Sequence, residues 1–186
     1  MPELRDIQQL VDYVNYGNCV KYVFFWGHKK PEKGVSKSCF SQWYEAPFID
    51  DGVKFLTAEH YMMAAKAKLF GDQCAYERII TASNPGAAKK FGREVLNFDE
   101  QVWCQHRFEI VVQANLLKFD QHAELKAFLL GTGERILVEA SPVDRVWGIG
   151  LSADDPHAEN PNQWKGANLL GFALMEVRQR FTDLVV

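Results

Sequence analysis

The chain has no CxxC pair and no cysteine–histidine pair at zinc-ligand spacing; its four cysteines, Cys19, Cys39, Cys74 and Cys104, stand far apart. That argues against a structural metal site, and each cysteine is expected to be a small buried hydrophobe. No run approaches the roughly 18 apolar residues that span a bilayer. The opening MPELRDIQQL has neither an apolar core region nor a small-residue cleavage site. A reduced, cytoplasmic location without membrane contact is the expectation. Excess positive charge is missing too: 21 Lys and Arg against 24 Asp and Glu leave a net charge of −3. No global basic field therefore draws the chain onto nucleic acid, although a local patch can still hold a phosphate. Internal repeats and low-complexity tracts are also absent.

What the chain does have is 47% apolar and 13% aromatic residues over 186 positions, enough to build the core of one domain without staples. The patterning predicts a predominantly α fold with a few short β-strands, an α+β single domain over 1–186, with 1–18 as an N-terminal helical extension. A helix is expected over 3–16, where Leu4, Ile7, Val11 and Val14 recur near helical spacing before Gly17. Strands are expected at Tyr22–Trp26, near Ala46–Ile49 and at Ile136–Ala140, with a turn at Asp50-Asp51-Gly52. Helices are expected from the Thr57 cap to Phe70-Gly71, over 72–82, from Asn84-Pro85 to Gly92, over 99–118, over 120–130 with Asp120 as cap, and over 168–181. Residues 141–166 form a long irregular stretch. Its tryptophans, Trp147 and Trp164, argue that it is ordered, as the wall of a site, because a solvated linker has no use for them.

The segment Thr57-Ala-Glu-His-Tyr-Met-Met-Ala-Ala-Lys66 carries the densest chemistry. Glu59 and Lys66 are seven residues apart, close to two helical turns, so their side chains start from one side of the helix. Helical side chains lean toward the N-terminus, which allows the lysine to reach back over Met62 and Met63 toward Glu59. An amine beside a carboxylate suits acid/base or Schiff-base chemistry. The same residues admit a plainer reading, with Glu59 favouring the helix dipole, Lys66 solvated, and His60 and Tyr61 as satisfied core groups. Asp144, in EASPVDRVWGIG, sits on a loop after a strand; it suits catalysis, or an Asx-turn, or an ion pair with Arg145. Trp103 and Arg107 share a helix face, so an indole could stack on a base while the guanidinium reaches an anion; a core tryptophan with a rim arginine is the alternative. The loop lysines Lys29, Lys30, Lys33 and Lys37 read as phosphate contacts or as a solvated charge run. Neither Gly131-Thr-Gly133 nor Gly148-Ile-Gly150 has a dinucleotide-loop context, and Asp154, Asp155 and His157 lack a further spaced ligand for a metal.

Taken together, FLTAEHYMMAAKAKLF, the helix with Trp103 and Arg107, NLLKF at 115–119, ILVEASPVDRVWGIG at 136–150 and WKGANLLGFALMEVR at 164–178 resemble the NADAR (YbiA-like) family in order and spacing. The resemblance covers about residues 22–181. It implies a compact helical fold and a pocket for phosphoribosyl or ADP-ribose-like ligands. It also implies N-glycosidase activity with no cofactor. The substrates implied are phosphoribosylamino-pyrimidine intermediates of riboflavin biosynthesis, or ADP-ribosylated guanine, which would bring nucleic acid in as a partner. By this resemblance Glu59, Lys66 and Asp144 are catalytic, Lys66 as a nucleophile at the anomeric carbon. Trp103, Arg107, Trp147, Tyr61 and Trp43 are its expected substrate-binding set. One departure is that Gln42 stands in Ser41-Gln42-Trp43 where the family often has Asn. Breaking a ribosyl C–N bond passes through an oxocarbenium-like state that a carboxylate stabilises and a nucleophile can trap. A non-catalytic ADP-ribose or nucleotide-binding module is the rival function.

Overall fold

A computed structural model of the chain describes residues 4–184. Helices dominate, with two pairs of short strands. The expected fold class is the observed one. The chain divides into two compact units, one built from the residues up to Ser41 together with those from Glu124 onward, the other from Gln42–Ala123.

The first unit opens with α1 (Ile7–Asn15), whose Asp6 side chain accepts the Gln9 N–H as N-cap. The helix expected from residue 3 thus starts later; Glu3 lies outside the described residues, and Leu4 and Arg5 precede the helix. Strand β1 (Tyr22–Phe25) pairs in parallel with β4 (Ile136–Glu139), Tyr22 opposite Ile136 and Phe25 opposite Glu139. All of Ile136, Leu137 and Val138 are buried, as fits a strand covered on both faces. The closing helix α7 (Leu169–Asp183) packs on β4. Asn168 begins it in the left-handed region (φ 52°), accepting the Glu139 N–H and donating to the Leu137 carbonyl. Gly171 follows because a Cβ there would lie 2.1 Å from the Leu137 oxygen. The same helix carries buried Arg178, which donates to Thr132 Oγ1 and the Arg135 carbonyl; desolvation pulls its pKa down to about 10, with Glu134 opposing.

Residues 141–166 are ordered, as the tryptophans suggested. Backbone bonds stitch them: Ile149 N–H to the Glu139 carbonyl, Lys165 N–H to Ile149, Ala167 N–H to Arg145. Trp164 is buried and donates its indole N–H to the Ala158 carbonyl at 2.7 Å.

The second unit holds the hairpin β2 (Phe48–Asp50) and β3 (Val53–Phe55), joined by Asp51-Gly52. Both turn residues have positive φ, 46° and 77°, the signature of a two-residue hairpin turn that matches strand twist. Sequence patterning marked the turn and the first strand but not β3. Around the hairpin lie α2 (Ala58–Leu69), α3 (Gln73–Ile80), α4 (Pro85–Arg93) and α5 (Glu100–Asp120). Thr57, Asp72, Asn84 and Asp99 each cap the helix that follows with a side-chain oxygen. Helix α6 (Ala123–Leu130) begins later than expected, because Asp120 is the last residue of α5 and does not cap it. Among the cysteines only Cys39 is buried; Cys19, Cys74 and Cys104 are exposed, and none of the four forms a disulfide. Their burial fails as a prediction because three of them fall on solvent-facing turns and helix faces. No described helix is long and apolar enough to cross a membrane.

Candidate active site

Helix α2 is buried on nearly every side, within a cluster that includes α3, α4 and α5. Its first turn is satisfied internally. Thr57 Oγ1 accepts the His60 N–H, and the Gln42 carbonyl accepts the Glu59 N–H at 3.0 Å. Two N–H groups of the helix start, which elsewhere would attract an anion, are thereby occupied. Glu59 is only 2% exposed.

His60 is fully buried, with Nδ1 2.8 Å from Thr57 Oγ1 and Nε2 3.1 Å from the Ala82 carbonyl. A carbonyl can only accept, so Nε2 carries the proton and Nδ1 accepts from the threonine hydroxyl. Burial lowers the His60 pKa, against a smaller opposing pull from the Ala82 bond. The ring is neutral and structural, the plainer of its two readings.

Lys66 is 9% exposed and donates from Nζ to the Gly92 carbonyl at 2.9 Å. That carbonyl lies in the last turn of α4, the negative end of its dipole. The amine also sits 4.0 Å from the centre of the Phe98 ring and 5.7 Å from that of Trp103. Desolvation lowers its pKa below the ordinary lysine value, and Glu100 acts the other way. The amine therefore turns toward α4 and the start of α5, and it does not pair with Glu59. The expected reach back along α2 is not made, because a carbonyl at a helix terminus and two aromatic faces offer the cation a better seat.

Trp103 is buried and Arg107 half-buried; Glu100, one helical turn before Trp103, lies 3.8 Å from the Arg107 guanidinium. Lys66, Glu100, Trp103 and Arg107 thus form one charged and aromatic group, with Phe98 (41% exposed) at its open side. Trp43 is half-buried, with Lys89 Nζ 5.8 Å from its ring centre. Tyr61 is not part of this group. Two residues past Glu59 on a helix is about 200° of rotation, so Tyr61 faces the hairpin instead, between Phe48 and Phe55. Burial and Asp50 push its pKa up to about 12, and it lines a small recess of about 50 Å³ with Asp50, Lys68 and Tyr76.

In the first unit, Asp144 is half-buried, and its Oδ1 accepts the N–H groups of Val146 and Trp147 at 2.9 and 2.8 Å. This is an Asx-turn that shapes the loop holding half-buried Trp147. An open groove of about 600 Å³ in the same unit runs past Val23, Ser36, Lys37, Phe128 and Arg135. Of the residues singled out in the sequence Lys37 lines it, one of the loop lysines read as phosphate contacts or solvated charge; none of the expected catalytic or substrate-binding residues does. Among the described residues no three His, Cys, Asp or Glu side chains are placed to hold a metal ion.

Sequence reasoning missed Phe98, Glu100 and Asn115. Phe98 lies on a loop with no periodic signal. Asn115 carried one, being a polar residue on the buried α5 stripe of Val111, Val112, Ala114 and Phe119.

Residues 24–182 match the NADAR domain. The chain belongs to the NADAR family. It is 43% identical over 164 residues to an N-glycosidase of Acanthamoeba polyphaga mimivirus, covering 86% of this chain and 95% of that one. It is 35% identical over 141 residues to N-glycosidase YbiA of Escherichia coli, covering 76% and 79%. The solution NMR structure of E. coli YbiA superposes with a TM-score of 0.68 at 30% identity, over 88% of this chain and 86% of that one. The NADAR match takes in both compact units and begins after α1.

Proposed function

We propose that this NADAR chain is an N-glycosidase that hydrolyses the bond between a nitrogen leaving group and C1′ of a phosphorylated ribose. The kinship with proteins named N-glycosidases supports the reaction class. The observation that carries the residue assignment is the burial of Glu59 in the first turn of α2. A carboxylate withdrawn from water is stabilised there only at a cost, and its helix already has Thr57 and Gln42 to satisfy its first turn. Capping does not explain the acid. In the proposed reaction Glu59 stabilises positive charge at C1′ as the C–N bond breaks and takes the proton of the attacking water. Trp103 and Phe98 offer faces for the base, and Arg107 an anchor for phosphate. The substrate class is a phosphoribosyl or ADP-ribosyl N-glycoside, including the riboflavin-pathway amino-pyrimidines and ADP-ribosylated guanine.

Two routes differ in the work of Lys66. In the covalent route its neutral amine attacks C1′, the base leaves, and ring opening gives a Schiff base that water cleaves to regenerate the amine. The desolvation that lowers its pKa favours this route. The Gly92 carbonyl and the Phe98 face favour the other, in which Lys66 stays a cation and water attacks directly.

The test is a panel of phosphoribosyl and ADP-ribosyl compounds read by released base, with Glu59→Gln beside the wild type. Release by the wild type and its loss in Glu59→Gln are expected. Tight binding without release in both makes the protein a binding module. Borohydride present during turnover decides the route: a reduced adduct on Lys66 means covalent, while full activity with no lysine modified means direct hydrolysis.

A further inference from the structure

One buried polar pair in the second unit has unused ends. Gln42 is 6% exposed and Asn115 fully buried; Asn115 Nδ2 donates to Gln42 Oε1 at 2.8 Å and to the Val111 carbonyl at 2.9 Å. The Val111 oxygen can only accept, which fixes which end of the Asn115 amide is nitrogen. That nitrogen also meets Gln42, so Gln42 must present its oxygen, which leaves its Nε2 as the end without a partner. Both remaining atoms, Gln42 Nε2 and Asn115 Oδ1, are buried and make no hydrogen bond. Leaving such a group unmet in a core is destabilising. A core packed only for stability would place apolar side chains here, whereas a substrate site keeps such ends for its ligand.

Placement narrows the ligand. The backbone of Gln42 touches the catalytic turn, since its carbonyl accepts the Glu59 N–H. A donor at one end of the pair and an acceptor at the other complement a hydroxyl, which both accepts and donates. An ionised phosphate oxygen only accepts. On a ribose held with C1′ at Glu59, the nearest hydroxyl to the reacting carbon is the one on C2′. Bonds to that hydroxyl strengthen as charge develops at C1′.

We infer that Gln42, oriented by Asn115, donates from Nε2 to the ribose 2′-hydroxyl of the substrate and so sets the preference for ribosyl over 2′-deoxyribosyl compounds. This rests on the N-glycosidase reading of the same site.

The experiment uses whichever phosphoribosyl N-glycoside the wild type cleaves, with its 2′-deoxy and 3′-deoxy counterparts. Values of kcat/KM are compared for the wild type and Gln42→Met, which is similar in length but has no donor. Gln42→Met is expected to lose about 10- to 100-fold on the ribosyl substrate, the scale of one buried hydrogen bond. It should lose almost nothing on the 2′-deoxy compound, so the ribosyl/2′-deoxyribosyl ratio collapses. Gln42→Glu, which keeps an oxygen for Asn115 but removes the donor, should show the same collapse and serves if the methionine variant does not fold. Equal losses on all three compounds would assign Gln42 a structural role and overturn the inference. So would an unchanged ratio, or a collapse confined to the 3′-deoxy comparison. If the wild type cleaves no ribosyl compound at all, the N-glycosidase reading falls, and this one with it.

Discussion

Glu59 and Asp144 are both acids near a polarised turn of backbone, and the structure spends them differently. Asp144 gives one oxygen to two N–H groups of its own loop. Around Glu59 the equivalent backbone work is done by others: Thr57 Oγ1 takes the His60 N–H and the Gln42 carbonyl takes that of Glu59 itself. An acid whose neighbours already satisfy the backbone is a better candidate for chemistry than one that holds its loop together. The same contrast separates Lys66 from an ordinary surface lysine: its amine is withdrawn from water onto Gly92, Phe98 and Trp103.

The largest effect after removal of Glu59 itself is expected at Lys66. Lys66→Met should lower kcat by about 10²-fold or more on the covalent route, in line with loss of an acid/base or nucleophilic group. The melting temperature should stay near that of the wild type, because a desolvated amine adds little stability. A loss confined to KM would instead make Lys66 a binding cation. Because desolvation holds the Lys66 pKa below its usual value, the covalent route also predicts kcat rising with pH to a plateau reached before the ordinary lysine range.

Asp144 should separate shape from chemistry. Asp144→Asn keeps an oxygen acceptor for Val146 and Trp147, so its kcat should fall far less than that of Glu59→Gln. Asp144→Ala should be destabilised by about 1 kcal/mol, read by urea unfolding, on losing two partly exposed bonds. If Asp144→Asn proved as inactive as Glu59→Gln, the contrast drawn above would be wrong.

Gly92→Ala tests the seat of the lysine. A Cβ there would lie 2.0 Å from Met63 Sδ, so Met63 must move, at about 1–3 kcal/mol of stability. Shifting α4 also shifts the carbonyl that holds Lys66, and a several-fold fall in kcat is expected with it.

The smallest effect concerns pH and His60. Its folded pKa is depressed below the ordinary histidine value, so the unfolded chain binds the proton more readily. Its contribution is complete above about pH 6.5 and declines as pH falls below that toward the folded pKa. His60→Gln should be less stable at neutral pH yet show a shallower loss between pH 7 and pH 5 in melting experiments.

Much of the fold was legible because it is written locally. Thr57 and Asn84 announce the starts of α2 and α4, and Asp51-Gly52 announces the hairpin. The parallel pairing of β1 with β4 was not, since more than a hundred residues separate the strands and nothing local fixes their register. Within the site, helical spacing put Glu59 and Lys66 on one side of α2 but could not say where a four-carbon side chain would turn. That Tyr61 points away from Glu59 was legible on the same geometry, the two being about 200° apart around the helix. Asn115 stood out only as one polar residue on a buried stripe. The asparagine's orientation, and with it that of Gln42, depends on a backbone carbonyl that only the folded helix supplies.

Product stoichiometry would show most directly whether the acid at the start of α2 breaks a ribosyl C–N bond. Wild type and Glu59→Gln, each saturated with a phosphoribosyl N-glycoside, are compared for bound ligand, free base and free phosphosugar. The account predicts equal amounts of base and sugar from the wild type, and a Glu59→Gln protein that binds the compound but releases neither at a comparable rate. Undiminished release by Glu59→Gln, or a wild type that only binds, would contradict it.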